Sequence, residues 1–374
     1  MIVERAHTGK ASVESINSTT QRAAPPLLYD LTELQRHANR LFGFSAQKTL
    51  DVAQALYEKH KLISYPRTDS RHLSKDVAET LPRIVKAIEA QYRAKLAPGI
   101  GVRPLGRKFI DDSKVTDHHA IIPTAMPPEK ASMSEDERAI YDLISRRLLS
   151  AWHDDHIWSV TTVISVIRND NNVDRYHTSG SAVQQIGWKV LDIALAARVK
   201  KGREQEKEPE QNLPPDLARG QKQDVTDVEV LQRKTRPPKR FTEATLLTAM
   251  ETAGRTLDEK ELSDAMKENG LGTPATRAAI IEVLLKRNYM VRKGKSLEAT
   301  DKGIRLIEVV HPEVKSPAMT GQWEAHLHRI QKGTAQLAPF LKGIEEYVIK
   351  TCGFVAPIWN PRTATTNAMR PGKR

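Results

Sequence analysis

The sequence predicts an α+β multidomain protein in which two helical, winged-helix-like regions flank a β-rich middle. Three observations predict it. The chain has 374 residues, long for a single hydrophobic core, so two or three domains are expected. Capped amphipathic segments dominate residues 29–155 and return after residue 238. Between them, from Ile157, apolar and β-branched residues alternate with polar ones at a period of two.

The elements follow in chain order. The first 25 residues carry no strong helix signal; Ala11–Ile16 reads as one strand and Gln21–Pro26 as a connector, so residues 1–28 are expected as an N-terminal strand and connector of the β-rich region. Asp30, with Glu33 three residues on, opens a helix over Leu31–Phe42 in the manner of a capping box. Ser45 opens a second helix with Leu50, Ala53, Leu56 and Tyr57 on its apolar side. Leu62–Arg67 reads as a short extended stretch, and Ser74 caps a third helix reaching about Tyr92. This succession resembles a winged helix. A further helix is expected over Ser134–Trp152.

Within residues 156–237, Ile157–Ser165 is a strand, Asn169–Asn172 a turn and Tyr176–Ile186 the return strand. The polar, Lys/Glu-rich Arg198–Gln223 reads as a solvated loop, and Val225–Gln232 as another strand. Within residues 238–350, helices resume at Thr242. Thr273-Pro274 sets threonine as N-cap with proline at the first helical position, and Ile280, Ile281, Leu284 and Leu285 are expected as the buried stripe. Tyr289–Thr300 reads as a hairpin turning at Lys293-Gly294, and Thr300-Asp301 opens the next helix: a second helix–wing–helix unit. Residues 351–374 form a basic tail.

Net charge is +12, which favours phosphate-rich partners through counterion release. Aromatic content of 5% argues against extended base-stacking platforms. The single cysteine, Cys352, excludes an internal disulfide framework and a cysteine-rich zinc site within the chain. No apolar run approaches the roughly 20 residues of a membrane span, and Met1–Lys10 lacks the apolar core of a signal peptide, so a cytoplasmic protein without membrane contact is expected.

Three constellations bear on chemistry. In Ser64-Tyr65-Pro66-Arg67-Thr68-Asp69, an extended backbone would point Tyr65 and Arg67 to one face. Arg67 would then hold a phosphate while Tyr65 attacks it. A free tyrosine has a pKa of about 10 and needs positive neighbours or a base. By spacing alone the pair reads rather as a half-buried strand tyrosine beside a surface arginine. In Asp117-His118-His119, paired histidines fit a phosphate-binding pair better than a metal, because neighbouring residues rarely ligate one ion and no further ligand cluster follows. Two loop histidines satisfied by backbone fit equally well. In Gly270-Leu271-Gly272-Thr273-Pro274-Ala275-Thr276-Arg277, helix N-terminal amides, two threonine hydroxyls and an arginine make a phosphate cradle, or simply a capped helix start. It is not a P-loop.

In this order these segments, with Phe44–Leu50, Tyr57–Asp69, His118–Thr124 and Phe241–Leu247, resemble the type IA DNA topoisomerases, most closely the bacterial topoisomerase III branch, over residues 11 to 350. The resemblance implies a β-arch domain joining the helical domains. It implies that Tyr65 is the nucleophile forming a 5′-phosphotyrosine link, that Arg67 holds the scissile phosphate and that His118 is the active-site histidine. It implies DNA contacts for His119, Thr273, Thr276 and Arg277, with single-stranded DNA as partner and the bacterial nucleoid as location. Family members begin with a Toprim domain bearing an acidic Mg²⁺ site, a catalytic glutamate and a lysine. Only 64 residues precede Tyr65, without an Asp-x-Asp pair, so the Mg²⁺ ligands are expected outside this chain, in a separate Toprim-containing chain or a lost segment. Asp170, Asn172 and Asp174 mimic an acidic cluster but sit at the expected hairpin turn. The zinc ribbons that end many family members are likewise not found.

A non-catalytic single-strand DNA-binding fragment is the competing expectation. A tyrosine recombinase also uses Tyr, Arg and His, but its tyrosine follows the histidine, whereas Tyr65 precedes His118.

Overall fold

A computed structural model describes residues 2–115, 117–169, 172–193, 213–214, 216–256, 260–266 and 270–353. Asp170, most of the expected loop over 198–223 and the tail beyond residue 353 lie outside them. The architecture is mixed helix and antiparallel sheet, as expected, and divides into two compact units.

The first unit holds Met1–Tyr29, Ala55–Tyr65 and Ser70–Pro238. Its sheet is built from β1 (Lys10–Ala23), β2 (His156–Asn169), β3 (Asn172–Gln185) and β4 (Lys222–Gln223), in the order β3-β2-β1-β4, all neighbours antiparallel. The β1–β2 ladder runs from Lys10↔Arg168 to Ala23↔His156 and slips one residue between Val13 and Ser15. Strand β1 is longer than its apolar core because its polar half continues the ladder from Ser15↔Ile164 to Ala23↔His156 and is tied by Ser18 Oγ to Thr161 Oγ1 at 3.0 Å. A helix, α1 (Ile2–Thr8), precedes it, where the sequence carried no helix signal. Its Ala6 packs with Ala11 and Ile167, and this tertiary contact outweighs weak local propensity.

The expected strand at Val225–Gln232 is not one: ladder pairing ends at Gln223. Val225 and Val228 pack on that same Ala6–Ala11–Ile167 cluster, three residues apart, a spacing a two-residue period does not produce. Besides α1, the helices of this unit include the C-terminal part of α3 (Ala46–Glu58), α4 (Lys75–Ile88) and α5 (Glu135–Ser150). Ser74 caps α4, and Ser134 forms a full capping box with Glu137 on α5. Leu81, Ile84, Ile88, Ile140, Ile144 and Trp152 are buried there.

The second unit holds Asp30–Gln54, Pro66–Asp69 and Lys239–Arg374. It contains α2 (Leu31–Phe42), the first part of α3, α6 (Glu243–Glu251), α7 (Lys260–Met266), α8 (Pro274–Lys286), the hairpin β5 (Met290–Lys293) with β6 (Ser296–Ala299), α9 (Asp301–Val309), α10 (Pro317–Gln331) and α11 (Leu337–Cys352). Asp30 Oδ1 accepts the Glu33 N–H at 2.6 Å to open α2, and Gly43 closes it in the left-handed region at φ 73°.

This division runs through the segment expected as one helical domain, 29–155. Residues 31–54 pack with the C-terminal helices instead. Asn39 Oδ1 accepts the Ala244 N–H at 3.2 Å, Glu243 accepts the Ala46 N–H at 2.7 Å, and Ala46, Leu247, Ala278 and Ile281 share one core. These partners are some 200 residues away in sequence, beyond the reach of local patterning. The stripe expected on α8 is corrected. Ile281 is 1% exposed but Ile280 is 39% exposed, and the buried face runs instead through Arg277, Ala278 and Ile281. The helix–hairpin–helix α8-β5-β6-α9 stands as expected.

Candidate active site

Tyr65 ends a loop that starts where α3 stops. Lys61 adopts a left-handed backbone at φ 55°, and the Leu62 N–H returns to the Leu56 carbonyl at 2.9 Å. The loop then zips onto residues 120–124. Thr124 N–H donates to Leu62 O at 2.8 Å, Thr124 Oγ1 donates to Lys61 O at 2.7 Å, and Ile63 bridges Pro123. Ser64 is the clasp: its N–H donates to Ile122 O at 2.9 Å, its Oγ donates to Ala120 O at 3.1 Å, and it accepts the Ile122 N–H at 3.0 Å. Behind this, Ile121 bridges Tyr29, whose ring lies 4.1 Å from the Arg147 guanidinium carbon.

The clasp sets Tyr65 and His118 against each other, with ring centroids 4.5 Å apart and planes at 50°. Tyr57, near the end of α3, meets Tyr65 edge-on at 5.4 Å and 76°. Tyr65 is half-buried and His118 is exposed.

The other expected site residues are placed as follows. The extended run to Arg67 is not formed: after the single bridge at Ile63 the chain bends, and Pro66 has no N–H to continue a ladder. The same-face relation of Tyr65 and Arg67 therefore does not follow from strand alternation. Arg67 is half-buried in the second unit, beside Thr68, whose carbonyl accepts the Leu31 N–H at 3.1 Å.

His119 donates Nδ1–H to the Ala120 carbonyl at 2.8 Å, since only a protonated nitrogen can bond a carbonyl oxygen. Burial, and then the neighbouring His118, hold its pKa below the usual histidine value, against the Ala120 bond. Its Nδ1 is thus engaged by the backbone.

At the start of α8, the Thr273 N–H donates to Thr276 Oγ1 at 2.9 Å, and both threonines are exposed. Gly270 and Gly272 have φ of 62° and 69°, and a Cβ at Gly270 would meet the Met250 and Glu251 carbonyl oxygens at 2.4 and 2.6 Å. Arg277, expected on DNA, is 2% exposed. It donates Nη1–H to Thr32 Oγ1 at 3.0 Å and Nε–H to Leu271 O at 3.3 Å. Burial pushes its pKa below the usual arginine value, partly offset by Glu251 and Asp30. Its role in this placement is to pin the glycine loop to α2.

Magnesium needs several oxygen donors, usually carboxylates. Around Tyr65 the donors are an imidazole, a phenol and hydroxyls already bonded. Asp174, from the sequence-level acidic cluster, accepts Nε–H and Nη2–H of Arg5 at 3.1 and 2.9 Å. Among the described residues no three His, Cys, Asp or Glu side chains group as a metal site. These residues do not fit a magnesium ion. Among the described residues no helix is long and apolar enough to cross a membrane.

Sequence reasoning missed Ser64, Lys61 and Tyr57 as parts of the site. All three lie within the Tyr57–Asp69 segment that carries the resemblance, which was their signal.

The model of the DNA topoisomerase family matches residues 1–342. DNA topoisomerase 3 of Bacillus licheniformis is 41% identical over 349 residues, covering 91% of this chain and 46% of that protein. DNA topoisomerase 3 of Bacillus subtilis is 40% identical, covering 91% and 46%. This chain therefore spans less than half the length of these relatives. Full-length topoisomerase I from Thermotoga maritima superposes with a TM-score of 0.65 at 23% identity, covering 93% of this chain and 53% of that one, which speaks for the fold. The chain belongs to the DNA topoisomerase family, in agreement with the type IA, topoisomerase III-like motifs around Tyr65 and at the start of α8.

Proposed function

We propose that this chain is the strand-cleaving body of a type IA, topoisomerase III-like enzyme acting on single-stranded DNA, with Tyr65 as nucleophile. The observation that carries it is the Tyr65–His118 pair, ring to ring at 4.5 Å on a clasped loop. Tyr65 Oη attacks the phosphorus of a phosphodiester. An Oη–P bond forms, the P–O3′ bond breaks, and the 3′ oxygen leaves with a proton. His118 donates a hydrogen bond to a nonbridging oxygen, and Arg67 holds the same phosphate. The phosphotyrosyl ester keeps the energy of the broken bond, so the reverse attack reseals the strand without ATP after another strand has passed. Thr273 and Thr276 contact the DNA backbone at the start of α8, while His119 and Arg277 hold the loops that carry the contacts. The proton donor and the Mg²⁺ ligands come from a Toprim domain, and the place of action is the bacterial nucleoid.

The test is incubation with labelled single-stranded oligonucleotide, with and without added Toprim domain and Mg²⁺. A denaturant-resistant adduct that disappears in Tyr65→Phe is expected. Binding without adduct in every mixture would establish the non-catalytic DNA-binding reading instead.

A further inference from the structure

Two non-glycine residues among those described have a left-handed backbone, Asn288 at φ 58° and Lys61 at φ 55°. Asparagine enters that region several-fold more often than lysine, and a strained residue persists where its surroundings fix it. Here they do. His60, one residue before, bonds Glu137 Oε1 through Nε2 at 3.2 Å; Lys61 O takes the Thr124 hydroxyl at 2.7 Å; and Leu62, one residue after, is bonded at both N–H and carbonyl. A glycine would end the helix as well without strain. What lysine adds is its side chain. It is exposed, its ammonium lies 5.5 Å from the Tyr57 ring centroid, and among the described residues it has no carboxylate partner. Tyr57 is the ring that meets Tyr65 edge-on at 5.4 Å.

We propose that Lys61 is a phosphate-holding residue of the cleavage site: its ammonium, set over Tyr57 one ring away from Tyr65, takes a strand phosphate next to the one Tyr65 attacks. The inference rests on the proposed role of Tyr65. Lysine serves this as a compact charge with three donors, and the Tyr57 face holds it without neutralising it.

The test is titration of the full chain with a fluorescent oligo-dT across a salt series, for wild type, Lys61→Gly, Lys61→Asn and Lys61→Arg. Gly and Asn both accept the left-handed backbone, so both variants should melt no lower than wild type. Both should bind about three- to tenfold more weakly at low salt, with a log K versus log[salt] slope shallower by about 0.7, one phosphate contact on a single strand. Lys61→Arg should keep affinity and slope. Wild-type affinity and slope in Lys61→Gly and Lys61→Asn would overturn the proposal, as would an equal loss in Lys61→Arg. The adduct assay separates the two claims. An adduct with an unchanged Lys61→Gly slope sinks only Lys61, whereas a lost slope without any adduct sinks only the cleavage reading.

Discussion

The Tyr65 loop and the start of α8 both combine hydroxyl-bonded backbone with a cationic side chain, and they place the cation oppositely. At the loop, Ser64 and Thr124 satisfy the backbone, leaving Lys61 exposed and Tyr65 and His118 face to face. At α8, the threonines are exposed and Arg277 is enclosed, its N–H groups given to Thr32 and Leu271. A cation inside a motif is available to a ligand only where other groups have already satisfied the backbone around it.

The largest expected effect that tests this contrast is at Arg277. Arg277→Ala leaves a cavity and strips partners from Thr32 and Leu271, for a loss of about 2–3 kcal/mol. It should appear as a lower urea midpoint with m unchanged and little change in the salt slope of DNA binding. A wild-type midpoint with a shallower slope would erase the contrast, because Arg277 would then be a phosphate ligand. Ser64→Ala comes next. It removes the acceptor of the Ile122 N–H and one donor to Ala120 O, for about 1–2 kcal/mol. Adduct yield should fall while oligo-dT affinity holds; unchanged yield would mean the clasp does not position Tyr65.

The smallest effect concerns pH. The Ser134 N–H, and after it the Ser134 hydroxyl and His60, hold the Glu137 carboxyl below the usual glutamate value. A depressed carboxyl contributes stability that is present above its unfolded pKa, about 4.3, and is lost as pH falls toward the lower folded value. Glu137→Gln should therefore flatten the fall in melting temperature below about pH 4.3. A fall as steep as in wild type would remove Glu137 from the support of the loop.

Much of the fold was legible wherever local chemistry decides it. The caps at Asp30, Ser74, Ser134, Thr273 and Thr300 opened helices where the side chains foretold, and the turn at Lys293-Gly294 sits in its hairpin. What local patterning left out depends on distant partners. α1 and the Val225–Val228 segment are shaped by one small cluster, and residues 31–54 by helices two hundred residues on. At the site, the motif residues Tyr65 and His118 were legible as an ordered set. The clasp through Ser64 and the burial of Arg277 were not, because side-chain direction is settled by tertiary neighbours: the same letters read as ligand or as strut.

The chain changes unit after residues 29, 54, 65, 69 and 238. Neither unit is thus a continuous stretch of the gene, and no single cut yields one intact. A product ending near Pro238 would keep α2 and the start of α3 but lose Leu247, Ala278 and Ile281, leaving Ala46 and the amide that Glu243 accepts without partners. The two units cannot be exchanged between proteins as separate cassettes, and recombination that keeps them folded must carry the chain from β1 through α11 together.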